Sequence, residues 1–172
     1  MLTTAPQGHE FTLILGSVTA DVRVKGFRLE EGLSSIPRCE VELVSKWSNL
    51  SFDDVMDQAG SLTIVDRVGG SRVFCGLVSG FAQGDTGHHW TAYRATLEPA
   101  LHRLQYRSDS RIFQQKSVQD ILSEVLNEAC VPDHRFTLTQ TRPVREFCVQ
   151  YRESDYDFFA RLCAEEGLVF YS

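Results

Sequence analysis

The sequence predicts an α+β protein, mainly β: a small antiparallel β-barrel followed by an incomplete β-α-β part with two capped helices. Three observations predict it. Apolar and polar side chains alternate with period two through residues 11–85, the signature of strands with one buried and one wet face. Glycine-rich turn residues separate those runs at short intervals. After Pro99 the apolar period lengthens, and two serines each precede an aspartate by three residues, a helix-start signal. The expected division is therefore a barrel over 1–104 and the start of an α/β domain over 105–172.

The first alternating runs are Phe11-Leu13-Leu15, Val22-Val24 continuing to Phe27 and Leu29, then Cys39-Val41-Leu43, then Leu62-Ile64. Gly16-Ser17 and Glu31-Gly32 fit the connecting turns. Gly69-Gly70 should close a hairpin between 62–67 and 72–81. Gln83-Gly84-Asp85-Thr86-Gly87 reads as a second hairpin loop leading into a strand from Trp90 to about Leu97. Six or seven such strands suggest a small barrel or closed sandwich. The stretch SFDDVMDQAG interrupts them and reads as a short helix capped by Ser51 and ended at Gly60.

In the second part Ser117 should cap a helix, with Asp120 at its third position and Val118, Ile121, Leu122, Val125, Leu126 and Ala129 as the apolar stripe. Val131-Pro132 should end it. A short strand over Arg135–Thr139 and another over Phe147–Tyr151 follow. Ser154 repeats the capping device with Asp157, burying Phe158, Phe159, Leu162 and Cys163. Asp157–Arg161 and Arg161–Glu165 are expected as i,i+4 pairs, and Gly167 as the helix stop. Glu153 and Asp155 read as solvated charges at the helix start. The last five residues, Leu168 to Ser172, look like a strand just begun. Its open edge would make the chain a monomer at low micromolar concentration, prone to pair through that edge when concentrated.

Composition narrows the function classes. The net charge is −6, with 17 basic and 23 acidic side chains and no visible basic patch, which argues against a nucleic-acid partner. No apolar run approaches the ~20 residues that span a bilayer, so direct membrane insertion is not expected. The stretch MLTTAPQGHEF has neither a basic nor an apolar leader segment, so synthesis without a signal peptide is expected. The 5 cysteines are widely spaced and form no C-x-x-C; they read as free thiols, mostly packed as small hydrophobes.

Each candidate for chemistry has a plainer alternative. Asp85-Thr86-Gly87 matches an aspartic-protease triplet, but that chemistry needs two buried carboxylates sharing a proton, and here the triplet suits a polar turn. His88 and His89 adjoin Asp85, yet neighbouring strand residues point to opposite faces. His102 and His134 are isolated, and Cys130 is separated from His134 by Pro132. Cys148 and Cys163 lie where packing is expected rather than an activated thiolate. Ser79, in Gly-Leu-Val-Ser-Gly, sits one place off a nucleophile elbow. The residues thus designate no catalytic, cofactor-binding or metal site, and favour an interaction or structural role. A small hydrolase or metal-binding enzyme is the alternative of another class.

Three stretches do carry a resemblance: Tyr93 to Leu101 (YRATLEPAL), Asp109 to Gln114 with Ser117 to Ile121, and Val149 to Asp155 with Phe158, Arg161-Leu162 and Glu165-Glu166-Gly167. In that order and register the sequence resembles the N-terminal region of the valine–glycine repeat (VgrG) spike proteins of type VI secretion systems. The resemblance implies a phage tail hub-like fold, with residues 1–104 as the first of two related barrels. It implies a homotrimer in the full-length protein that docks on the hexameric tube protein, Hcp, beside baseplate proteins, to deliver effectors. It implies no enzymatic activity and no cofactor. Export would be by the type VI apparatus, to the outside or into a target cell. The second barrel, OB-fold and needle of that family are missing, so the chain should stop inside the hub. A hub protein of a contractile phage tail is the neighbouring alternative.

Overall fold

A computed structural model describes residues 10–172 apart from Arg67, Gly69, Pro132 and Thr139. Two sheets with separate cores organise them, and the chain divides into two compact units: 10–32 with 37–99, and 33–36 with 100–172.

The first unit is one antiparallel sheet of six strands: β1 Glu10–Leu15, β2 Val22–Glu30, β3 Arg38–Ser45, β4 Ala59–Val65, β5 Ser71–Thr86 and β6 Thr91–Glu98. Their spatial order is β1-β4-β5-β6-β3-β2. The expected barrel is realised as a curled sheet in which edge strands β1 and β2 share no ladder. The Phe11 and Phe27 rings meet edge to face at 5.6 Å across that opening. Alternation places Leu13, Leu15, Cys39, Val41, Leu43, Leu62, Phe74, Val78, Tyr93, Ala95 and Leu97 in a single core. Fully buried leucines such as Leu15, Leu43, Leu62 and Leu97 contribute roughly 1.5–3 kcal/mol each.

The β4–β5 hairpin forms as expected, Val65 pairing with Ser71; Arg67 and Gly69 lie outside the described residues. Two expectations in this unit are corrected. Residues 51–60 are not a helix. The Val55 and Met56 amides donate to the Phe52 carbonyl at 3.1 and 2.8 Å, Asp57 takes φ 57°, and Gly60 already belongs to β4. A single turn cannot meet the cost of helix nucleation. Instead it drops Val55 into the core as a plug. Gly16 makes this possible: at φ +51° it lies so close that a Cβ would sit 2.2 Å from the Asp54 carbonyl oxygen. Residues 83–86 are likewise not a loop. They extend β5 through a bulge, with Thr86 paired to Thr91, so the turn is Gly87–Trp90. Turn-type residues there are tolerated because the strand end is exposed.

The second unit begins with a 3-10 helix, Ala100–Tyr106, which the sequence pattern did not reveal. Next come β7 Ser108–Ser117, α1 Val118–Glu128, β8 Val144–Ser154 and α2 Asp155–Glu165. Among the described residues the two strands pair only with each other, antiparallel, with Ile112 opposite Val149. Both helices start where expected. Ser117 accepts the Asp120 amide at 3.2 Å in a complete capping box, and Ser154 accepts the Asp157 amide at 3.0 Å. The expected stripes are buried, with Phe113 stacked on Phe158 at 5.6 Å between strand and helix.

The helix ends and the tail differ from the expectation in instructive ways. Helix α1 stops before Val131-Pro132: Cys130 adopts φ 56° while the Cys130 and Val131 amides bond back to Asn127 and Leu126, a Schellman closure made without glycine. Gly167, at φ 65°, ends α2 by the same device. Residues 133–138 form no strand, and Thr139 lies outside the described residues. Alternation alone does not make a strand when no neighbour offers a ladder. For the same reason Leu168 to Ser172 is not a strand. Leu168 and Phe170 pack into the second core instead, Phe170 against Phe159 at 5.1 Å, and the Phe170 carbonyl accepts the Ser34 amide at 2.8 Å. Of the two expected i,i+4 pairs, Arg161–Glu165 forms at 2.9 Å. Asp157 gives its carboxylate to the Ser154 hydroxyl at 2.7 Å, and Arg161 reaches Glu153 at 2.6 Å.

Candidate functional site

The residues with possible catalytic or metal-binding roles do not converge. Asp85 lies one residue before the end of β5, and His88 and His89 lie in the following turn, all exposed. Among the described residues no three His, Cys, Asp or Glu side chains are grouped to hold a metal ion. His102 is buried in the 3-10 helix against Tyr106, while the His134 ring contacts the Val131 carbonyl of its own loop at 2.8 Å. Ser79 sits inside the continuous strand β5 and donates to the Glu98 carboxylate. All five cysteines are free; Cys75 and Cys130 are exposed and the other three buried. Burial pushes the Cys39 thiol up to about 12 and that of Cys163 up to about 11. Burial also raises Cys148, despite the Arg145 guanidinium beside it. Such thiols are the reverse of an activated nucleophile.

What the structure does build is a set of contrasting surfaces. On the outer side of β2, β3 and β6, opposite charges are paired: Arg28 with Glu30 along β2, Arg38 with Glu40 along β3 at 3.1 Å, and Arg94 of β6 with Glu42 of β3 at 3.3 Å. A shallow depression lined by Arg28, Glu30, Arg38 and Glu40 lies among them, each charge already matched. Across β1, β4 and β5 the outer rows Thr12-Thr63-Val73 and Ile14-Ser61-Cys75 carry no charge, and the row beyond them begins at Glu10. One part of the outer surface is thus a solvated ion-pair lattice and the other carries mostly uncharged side chains.

The second unit holds a buried polar lock. Asp155, 0% exposed, is corrected from a solvated helix-start charge to the centre of a network. Its Oδ1 accepts from Gln150 Nε2 at 2.8 Å and from Arg111 Nη2 at 3.1 Å, while Arg111 Nε donates to Gln150 Oε1 at 2.8 Å. Arg107 Nε stands 3.5 Å from Oδ2, and Arg107 and Arg111 both reach Glu128. Arginine neighbours and the positive end of α2 allow a carboxylate to be buried here. Sequence reading missed this cluster because its members are scattered from 107 to 155. The available signal was that Arg111, Gln150 and Asp155 all fall within the quoted stretches. Those stretches occupy β6, the β7–α1 corner and the β8–α2 corner, so two of the three meet at this lock.

A family model, "Phage tail baseplate hub (GPD)", matches residues 30–172. The chain belongs to this family. It is 46% identical over 156 residues to the type VI secretion system spike protein VgrG3 of Vibrio cholerae, covering 86% of this chain and 15% of that protein. It is 45% identical over 156 residues to the actin cross-linking toxin VgrG1 of the same species, covering 86% and 14%. Among solved structures, the c3393 protein of E. coli superposes with a TM-score of 0.81 at 26% identity, over 90% of this chain and 43% of that one. That protein is described as a component of the type VI secretion system with structural similarity to the bacteriophage T4 tail proteins gp27 and gp5. The chain spans about 15% of the length of these curated relatives. The curled sheet with its α/β unit is thus a tail hub-like fold. No helix among the described residues is long and apolar enough to cross a membrane.

Proposed function

We propose that this chain is a hub segment of a type VI secretion spike, a structural module that works by presenting sheet faces to neighbouring subunits and to the tube. The observation that carries the reading is the family match over 30–172 together with the TM-score of 0.81 to a type VI secretion component. In the full assembly the segment trimerises with its counterparts and seats on the hexameric Hcp tube, beside baseplate proteins. Two similar barrels per chain, repeated three times, match a sixfold ring. These residues supply one such barrel, half of the surfaces that a chain would contribute. The role is non-enzymatic; the raised thiols and the dispersed histidines support that reading. The cross-linking activity named for the V. cholerae toxin is not carried over, because this chain corresponds to 14% of that protein. Export follows from the apparatus.

The test is the mass of the chain in solution with and without the tube protein. Hub function predicts a species heavier than the tube ring alone. Absence of any such species, even with a longer hub chain containing these residues, would contradict tube docking. A second reading, hub of a contractile phage tail, is favoured by the family description itself; genomic neighbourhood separates the two.

A further inference from the structure

We propose that Arg161 is an edge guard: its guanidinium closes the side of β8 away from β7 and keeps the β7–β8 ribbon from taking up a third strand. The hazard lies in the strand itself. Phe147–Tyr151, FCVQY, is rich in aromatic and β-branched residues and has no charge and no proline, a composition that invites strand addition. Phe147, Val149 and Tyr151 are exposed. Among the described residues β8 pairs with β7 alone, so one of its edges has no strand beside it. A long apolar edge of that kind is where other chains pair.

Arg161 reaches β8 from α2. Its Nη2 donates to the Val149 carbonyl, at the middle of the run, at 3.0 Å. A carbonyl held by a guanidinium is not free to accept from an incoming strand. The same nitrogen lies 2.6 Å from Glu153 Oε1, while Nε stands 3.3 Å from Glu153 Oε2 and Nη1 2.9 Å from Glu165 Oε1. A guanidinium presents its donors in a rigid planar fork, so three engaged nitrogens hold it in one position. Its central carbon stands 5.3 Å from the centroid of the Phe158 ring, which is fully buried. The guard is thus fixed to the second core.

The fork is one link in a longer row of alternating charges. Glu165 and Glu166 both take Arg145, at 2.9 and 2.6 Å, and Glu166 Oε2 stands 3.5 Å from Arg142. Glu153 and Arg145 belong to β8 and lie on either side of the FCVQY run, whereas Arg161 and Glu165 belong to α2. The row therefore fastens the helix to the strand at both ends of the exposed run. Arg152 adds a second blunting device: it is the extra residue of a bulge, at φ 50°, with its amide bonded to Ser110 Oγ. Exposed ion pairs contribute little to stability; set against a strand edge, they act on which chains can approach. This inference goes beyond the hub reading, and its failure leaves that reading intact.

Sedimentation of the full chain and of Arg161→Met, from about 10 µM to about 1 mM, tests it, with infrared spectra to detect strands paired between molecules. Arg161→Met keeps an apolar stem over Phe158 and removes every donor. It should retain its circular dichroism, associate at about tenfold lower concentration than the parent, and show the intermolecular strand band. Glu165→Gln, which leaves the Val149 bond and the Glu153 pair in place, should behave as the parent. Adding Phe147→Lys to Arg161→Met should return it to parent behaviour, because a charge on an edge strand repels its copy. If Arg161→Met does not fold, Glu153→Gln combined with Glu165→Gln, which removes both holders of the arginine, carries the same expectation. A folded variant as dispersed as the parent would overturn the guard. Association without the strand band, equal association in Glu165→Gln, or no rescue by Phe147→Lys would overturn it equally.

Discussion

Replacing Asp155 with alanine removes the shared acceptor of the buried lock. Two charge-assisted hydrogen bonds are lost, from Gln150 and Arg111; such bonds are worth roughly 1.5–3 kcal/mol each. Part of that loss is recovered. Gln150 Nε2 also reaches the Glu153 carbonyl at 3.2 Å, and Arg111 keeps Gln150 and Glu128. No cation is left orphaned, so the 3–5 kcal/mol of a broken buried ion pair is an upper bound. About 3 kcal/mol is expected for Asp155→Ala. Asp155→Asn, which retains an acceptor oxygen, should cost about half of that. The assay is urea unfolding followed at two probes. Both α-helices belong to the second unit and both tryptophans, Trp47 and Trp90, to the first. Helical ellipticity therefore reports the mutated unit and tryptophan emission the other. With m near 1–3 kcal/mol/M, the ellipticity midpoint should fall by about 1–3 M. A shift below about 0.3 M would refute the idea that this carboxylate holds β7, β8 and α2 together.

Four further outcomes are expected. Ser154→Ala should destabilise by roughly 0.5–2 kcal/mol, because the Asp157 amide loses its acceptor; an unchanged thermal midpoint would mean that the helix is started by other contacts. Thiol titration of the unfolded chain should find five free groups, while in the native state Cys75 and Cys130 react first and Cys39, Cys148 and Cys163 lag; uniform native reactivity would contradict their burial. The hydrogen bond from Arg145, with help from Arg161, holds the Glu165 carboxyl below its ordinary value of 4.5. A depressed folded value gives stability that is present above the unfolded value and lost as pH falls through the folded one, so Glu165→Gln should flatten the acid side of the stability profile below about pH 4.5. An identical acid slope in the variant would exclude that contribution. Finally, Asp85, His88 and His89 suit a strand end and turn, so elemental analysis should find no tightly held zinc; stoichiometric zinc, lost in His88→Ala and His89→Ala, would restore the metal-site alternative.

Local signals in this sequence were reliable where the physics is local. Capping needs only a serine and the amide three residues on, so Ser117 and Ser154 marked the helix starts. Burial on one face has a fixed period, so Cys39-Val41-Leu43 and Val118-Ile121-Leu122-Val125 marked their core positions without a neighbour in view. The hub-like identity was also legible, from three stretches of fixed order. Tertiary structure decided everything that needs a partner. Phe136-Leu138 and Leu168-Phe170 alternate like strands, but strands exist only where another backbone completes the ladder, and here β7 and β8 take each other. Residues 51–60 have helix-like punctuation, yet their role is set by Gly16 and by the core that accepts Val55. Asp155 looked solvated because a carboxylate is costly to bury alone; Arg111 and Gln150, 44 and 5 residues away in the chain, reverse that cost. Which apolar residues remain outside was equally hidden: Phe147 and Val149 follow a strand's alternation either way, and only the side taken by α1 and α2 turns one face into core and leaves the other exposed.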